Sequence, residues 1–162
     1  MKLWGGRFEK DTDKVVEAFT ASISFDRRLY RQDILGSIAH CRMLASQKII
    51  CADEADRIVT GLNDILAEIE EGNFTFREDL EDIHMHVEAR LREKIGDVAG
   101  KLHTARSRND QIALDLRLYL RETTLAAVRA IAAFQDTLLN TASVNLEVLM
   151  PSYTHLQRAQ PI

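Results

Sequence analysis

The side chains best equipped for chemistry fall into four short clusters. Lys101-Leu102-His103-Thr104-Ala105-Arg106-Ser107-Arg108-Asn109-Asp110 gathers guanidiniums, hydroxyls, an imidazole and an amide just before a long apolar run. Arginine forks and the N-terminal dipole of a helix both favour a carboxylate or phosphate. The competing reading is a solvated loop in which Asn109 or Asp110 caps the helix. Tyr153-Thr154-His155-Leu156-Gln157-Arg158-Ala159-Gln160 puts a histidine in a polar turn. Imidazoles ordinarily titrate near pH ~6.5, which suits proton transfer at neutral pH; a structural histidine is the alternative. Ser22-Ile23-Ser24-Phe25-Asp26 offers either helix caps or hydroxyl and N–H donors for an anion. Glu81-Asp82-Ile83-His84-Met85-His86 supplies capping acids and sets His84 and Glu88 on one helix face. His84 and His86 point apart on a helix, so no metal is expected there. The sequence has no phosphate-binding glycine loop, zinc-ligand spacing or GxSxG elbow.

The elements that must hold these clusters read as helices. The 162 residues are 46% hydrophobic and 28% charged, an ordinary globular balance, with only seven Gly and two Pro to break them up. A net charge of −4 gives no reason to bind nucleic acid. No apolar stretch reaches the ~18 residues a membrane span needs, and Met1–Phe8 lacks a signal-peptide apolar run. Cys41 and Cys51 read as reduced thiols of a cytoplasmic protein.

Residues 1–10 read as an irregular arm, followed by a short amphipathic helix carrying Val15, Val16 and Phe19. Phe25, Leu29, Ile34, Ile38 and Leu44 predict a helix over 25–48. Asp53 is the expected N-cap of the next helix, with Ile58, Leu62, Ile65, Leu66 and Ile69 inside it and Gly72 as its stop. Phe74 and Phe76 are expected to tuck inward from a loop over 73–80. Ile83, Val87, Leu91 and Ile95 form a stripe ended by Gly96. Neither Gly nor Pro interrupts Asn109–Met150, which predicts one helix of roughly 60 Å ended by Pro151. Its apolar residues fall on most faces, so it is expected to enter a bundle completed by other sequence, other subunits or both. The stop at Gln160-Pro161-Ile162, without a terminating element, reads as a truncated piece of a longer protein.

Four of these motifs together resemble a known family. Leu3-Trp4-Gly5-Gly6-Arg7-Phe8 is similar to the start of argininosuccinate lyases, and so is Glu81-Asp82-Ile83-His84. Lys101–Gln111 and Met150–Pro161 resemble two of that family's signature loops, shared in part with the wider aspartase/fumarase superfamily. The resemblance runs in order along essentially the whole chain. It implies an all-α fold: an N-terminal helical domain over 1–108, then, over 109–162, the first long helix and following loop of a central bundle. It implies C–N elimination of argininosuccinate to arginine and fumarate through a carbanion stabilised as an aci-carboxylate dianion, in the cytoplasm and without cofactor or metal. By matching motif, His155 is a catalytic acid/base residue. Ser22, Asn109 and Thr154 contact substrate, with Arg108 and His84 nearby in the site. The resemblance also implies a homotetramer whose active sites draw on three subunits.

Two departures stand out. Ala105 occupies a position where the family usually has Gly, which matters if the backbone there needs positive φ. The family's third signature loop, with its catalytic serine, is absent, so the 162 residues are expected to be inactive alone. Competing readings are another superfamily lyase, such as adenylosuccinate lyase, and a non-catalytic crystallin-like or assembly protein.

Overall fold

Helices supply nearly all the regular structure of residues 13–161, the part that the computed structural model describes; the arm expected over 1–10, with its Leu3–Phe8 motif, lies outside the described residues. They are α1 (Lys14–Thr20), α2 (Ile23–Asp26), α3 (Tyr30–Ser46), α4 (Ala52–Glu70), α5 (Ile83–Ile95) and α6 (Arg108–Val144). Short 3-10 segments cover Arg27–Leu29, Glu78–Leu80 and Gly96–His103. An antiparallel hairpin, β1 (Pro151–Thr154) and β2 (Gln157–Pro161), follows α6. The chain divides into two units, one ending at Leu120 and the other beginning at Arg121. Among the described residues, no helix is long and apolar enough to cross a membrane.

The core of the first unit lies among α3, α4 and α5. Ile34, Leu44, Ile58, Leu62, Ile65, Ile83 and Leu91 are completely buried there, as their helical spacing requires. Gly61 lets α4 and α5 approach: a Cβ on it would stand 2.7 Å from Leu91 Cδ1. The helix expected over 25–48 is interrupted by the 3-10 segment at Arg27–Leu29 and closes at Ser46. The cap of α4 is Cys51 rather than Asp53, and the Glu54 carboxylate accepts the Cys51 N–H at 3.2 Å. Gly72 (φ +75°) and Gly96 (φ +70°) take the positive φ that glycine adopts freely, each at a helix end, as expected at both positions.

Phe74 and Phe76 pack partly buried against the core, their ring centroids 5.1 Å apart. Buried His86 anchors that loop: the Arg77 N–H donates to its Nε2 at 2.8 Å, and its Nδ1 lies 2.6 Å from Asp82 O.

The long helix closes at Val144, short of Pro151. The Asn145 side-chain amide donates to Thr141 O at 2.7 Å and its backbone N–H to Ala142 O at 3.1 Å, so the regular ladder stops there. In the second unit, Val128, Ile131, Phe134 and Leu138 are all more than half exposed.

Candidate active site

The loop before α6 is tied down by its own polar groups. The Arg106 guanidinium donates to Ser37 Oγ on α3 at 2.9 Å. Arg108 pairs with Glu88 on α5 at 3.1 Å and donates to Gln111 Oε1 at 2.9 Å. His40 Nε2 lies 3.0 Å from Thr104 O, and Lys101 pairs with Glu54. Ala105 sits at φ +55°, the left-handed region in which a Cβ costs roughly 1–2 kcal/mol. The position does call for the conformation that glycine adopts freely.

Neither Asn109 nor Asp110 alone caps α6. Ser107 is the cap: its Oγ accepts the Asn109 N–H at 3.2 Å, while Asp110 Oδ1 accepts the Ser107 N–H at 2.7 Å. Together the two bonds satisfy two N–H donors at the helix start. The exposed Asn109 side chain makes no hydrogen bond among the described residues. An amide free to both donate and accept therefore stands in the first turn of a 37-residue helix, where the dipole favours an anion.

Behind this helix start lies a buried charge cluster that the sequence reading did not single out. His84, only 2% exposed, places Nδ1 3.1 Å from Asp33 Oδ1 on α3 and 3.5 Å from Asp115 Oδ2 on α6. The Gln111 amide donates to Asp33 Oδ1. Asp33 Oδ2 and both Asp115 carboxylate oxygens are buried without a hydrogen-bond partner among the described residues. Burial opposes ionisation of Asp33, but His84 and then Gln111 outweigh it and hold the carboxyl below its ordinary value. Burial also opposes charge on His84, yet Asp33 holds that imidazole above its ordinary value. Burial, reinforced by the Asp33 charge, pushes Asp115 up to about 7. The three ligand-capable groups lie within 4.8 Å of one another. The Gln111 amide and the nearby Arg106 guanidinium bring N–H donors and positive charge to the same carboxylates. Those neighbours suit a shared proton better than a cation.

Ser22 stands at the N-cap position of α2 but does not cap it; its hydroxyl donates to Asp26 Oδ2 at 2.5 Å. Asp26 Oδ1 accepts the Ile83 N–H at 3.2 Å, and the Ser22 and Ile23 N–H groups donate to Glu81 O at 2.8 and 3.0 Å. The start of α2 is thereby stitched to the start of α5, one residue before His84. Burial and then the Asp82 charge raise the Asp26 carboxyl, against the Ser22 and Ile83 hydrogen bonds.

Thr154 and His155 belong to the second unit. Thr154 ends β1, and Tyr153↔Arg158 and Thr154↔Gln157 are cross-strand partners. His155 (φ +50°) and Leu156 (φ +63°) form the two-residue connection, both left-handed. Tight hairpins take this backbone with Asn-Gly; a histidine and a leucine there carry strain of the kind that collects at functional sites. The exposed His155 side chain has no hydrogen-bond partner among the described residues.

Structure thus brings Ser22, His84, Arg108 and Asn109 into one unit, and Thr154 and His155 to the tip of a hairpin in the other. The buried partners Asp33 and Asp115 had a signal in the sequence: each is an acid set among the apolar positions of its helix. Residues 6–162 match a family model described as Lyase. Over 161 residues the chain is 60% identical to the argininosuccinate lyase of Trichlorobacter lovleyi, 61% to that of Syntrophotalea carbinolica and 58% to that of Geobacter sulfurreducens. Each alignment covers 99% of this chain and 35% of the relative, so the chain spans about a third of the length of the curated relatives it matches.

Proposed function

The chain belongs to the lyase family, and we propose that it supplies substrate-binding and proton-transfer residues to an enzyme that cleaves argininosuccinate to arginine and fumarate. The reaction is an elimination. A base takes the proton beside a substrate carboxylate, the electron pair forms the fumarate double bond through an aci-carboxylate dianion, and the C–N bond breaks as the guanidino nitrogen is protonated. Such a dianion needs donors already in place before charge develops. Asn109 is the donor that carries this reading, because its amide is exposed, unengaged and seated in the first turn of α6. Arg108 and His84 add positive charge behind it, and Ser22 and Thr154 add hydroxyls.

His155 is the proton-transfer group of this reading. Its strained two-residue turn holds the imidazole exposed at a hairpin tip, and an imidazole suits proton transfer at neutral pH. The apolar faces of α6 support a homotetramer in which helices from several copies cover one another and sites are shared between subunits. Unbridged Cys41 and Cys51 support the cytoplasm as its compartment.

The test is turnover of the full-length protein on argininosuccinate and on adenylosuccinate. Release of fumarate from argininosuccinate alone supports the proposal. Preference for adenylosuccinate moves the chain to another branch of the family, and failure with both points to a non-catalytic relative.

A further inference from the structure

His84 is the only candidate substrate residue buried between carboxylates on two other helices. Asp33 comes from α3, His84 from α5 and Asp115 from the second turn of α6. None of the three is more than 2% exposed. Two carboxylates this close in a dry interior cannot both be ionised without a large penalty. Three of their oxygens also lack hydrogen-bond partners, and a proton on one acid would supply the missing donor. The first two turns of α6 are seated directly on this cluster. Gln111 donates to Asp33, and Asp115 lies over Gly36, where a Cβ would stand 3.3 Å from Asp115 Oδ1 and 3.1 Å from Leu114 Cδ2.

We propose that Asp33 and Asp115 are positioning residues that share one proton, hold His84 as a cation between them, and so fix the start of α6 from which Arg108 and Asn109 meet substrate. The proposal rests on the elimination reading above for its activity arm only. The charged groups around His84 are Asp33 on α3, Asp26 on α2, Asp82 at the start of α5, and Arg108 and Asp115 on α6. Arg106, from the loop, lies beside the two aspartates. With Asp115 protonated and Asp33 ionised, the imidazolium has one direct counter-charge. The raised His84 and Asp115 and the lowered Asp33 agree with that distribution.

The experiment uses the full-length protein and two isosteric variants, Asp115→Asn and Asp33→Asn. An amide at 115 mimics the protonated acid but cannot ionise. The wild-type melting temperature should therefore fall as pH rises from about 4 to about 7, where the unfolded chain has lost the Asp115 proton and the folded one keeps it, and the Asp115→Asn curve should be flatter over the same interval. Asp33→Asn removes the counter-charge instead. It should move the alkaline limb of the kcat/KM profile to lower pH and reduce kcat/KM at pH 8 by about 10²-fold, the loss typical of a misplaced reacting group. Parallel melting curves for wild type and Asp115→Asn would overturn the shared proton, whatever the substrate proves to be. An unshifted pH profile in Asp33→Asn would overturn the positioning role. Should Asp33→Asn fail to fold, Asp33→Glu restores the charge and is expected to restore the wild-type alkaline limb; a profile as displaced as that of a neutralised site counts against the proposal.

Discussion

Ser107 and Asp110 close the N-terminus of α6 in tandem: the Asp110 carboxylate accepts the Ser107 N–H, and the Ser107 hydroxyl accepts the Asn109 N–H. That closure uses only the backbone N–H of Asn109 and leaves its side chain out of the cap, which separates stability from activity at neighbouring positions.

Ser107→Ala should cost about 1 kcal/mol of stability, as lost caps do. Asn109→Asp should leave stability unchanged or slightly higher, since a first-turn carboxylate suits the dipole. Under the proposed function, the same Asn109→Asp change in the full-length protein should set a negative charge against a substrate carboxylate and delete a donor, a loss of about 2.7–4 kcal/mol in transition-state stabilisation by analogy with oxyanion sites. Melting temperature and kcat/KM for both variants check this. A destabilised Asn109→Asp with intact catalysis would sink the substrate-binding assignment.

Ala105 offers a test in the opposite direction. Ala105→Gly removes a left-handed strain of roughly 1–2 kcal/mol, offset by about 0.4–1 kcal/mol of extra freedom in the unfolded chain. The net expectation is a small stabilisation, read as a higher urea midpoint at unchanged slope. Ala105→Val, branched at Cβ, should be clearly destabilising. A destabilised glycine variant would show that the φ of +55° carries no strain.

At the hairpin, His155→Ala should lower turnover of the full-length enzyme by ~10²–10⁴-fold, the usual loss for a general acid or base. Leu156→Gly relaxes the neighbouring left-handed residue and should leave the imidazole in place. Near-wild-type turnover in His155→Ala would remove it from the mechanism.

Glu68 sets a pH window for stability. The Arg90 guanidinium, then the Lys94 ammonium, holds its carboxyl down at about 2 from an ordinary 4.5. A depressed acid stabilises the fold above its unfolded value and loses that contribution as pH falls through the folded one. Glu68→Gln should therefore lower the melting temperature near pH 6 by an amount that shrinks steadily below about 4.5. A deficit that persists undiminished at pH 2 would mean the Glu68 side chain acts by packing instead.

The apolar stripes were legible because burial and periodicity coincide: Ile58, Leu62 and Ile65, like Ile83, Val87 and Leu91, point where a period of 3.6 sends them. The Ser107-Arg108-Asn109-Asp110 cap carries an equally plain pattern, yet so many donors crowd that loop that the capping pair was hidden among them. Asp33 and Asp115 were harder. An acid amid apolar positions becomes a buried partner only when a third helix delivers His84, and local spacing says nothing about that meeting. The sequence shows only a turn where the hairpin lies, because His155-Leu156 lacks the Asn-Gly that normally announces one. Pro151 is the obvious breaker in the sequence, yet α6 ends earlier because Asn145 takes a carbonyl for its own side chain.

The uncovered sides of α6 have a consequence for how this protein comes into being. Val128, Ile131, Phe134 and Leu138, each more than half exposed, forgo a large part of the roughly 1.5–3 kcal/mol that full burial of such a side chain supplies. In the homotetramer proposed above, the copies that cover them share in the free energy of folding, so that assembly and folding are one equilibrium for this helix. Dilution then acts as a mild denaturant: the melting temperature should climb with protein concentration, and newly made chains pass through an interval in which the partner's abundance, rather than the sequence, sets the risk of aggregation.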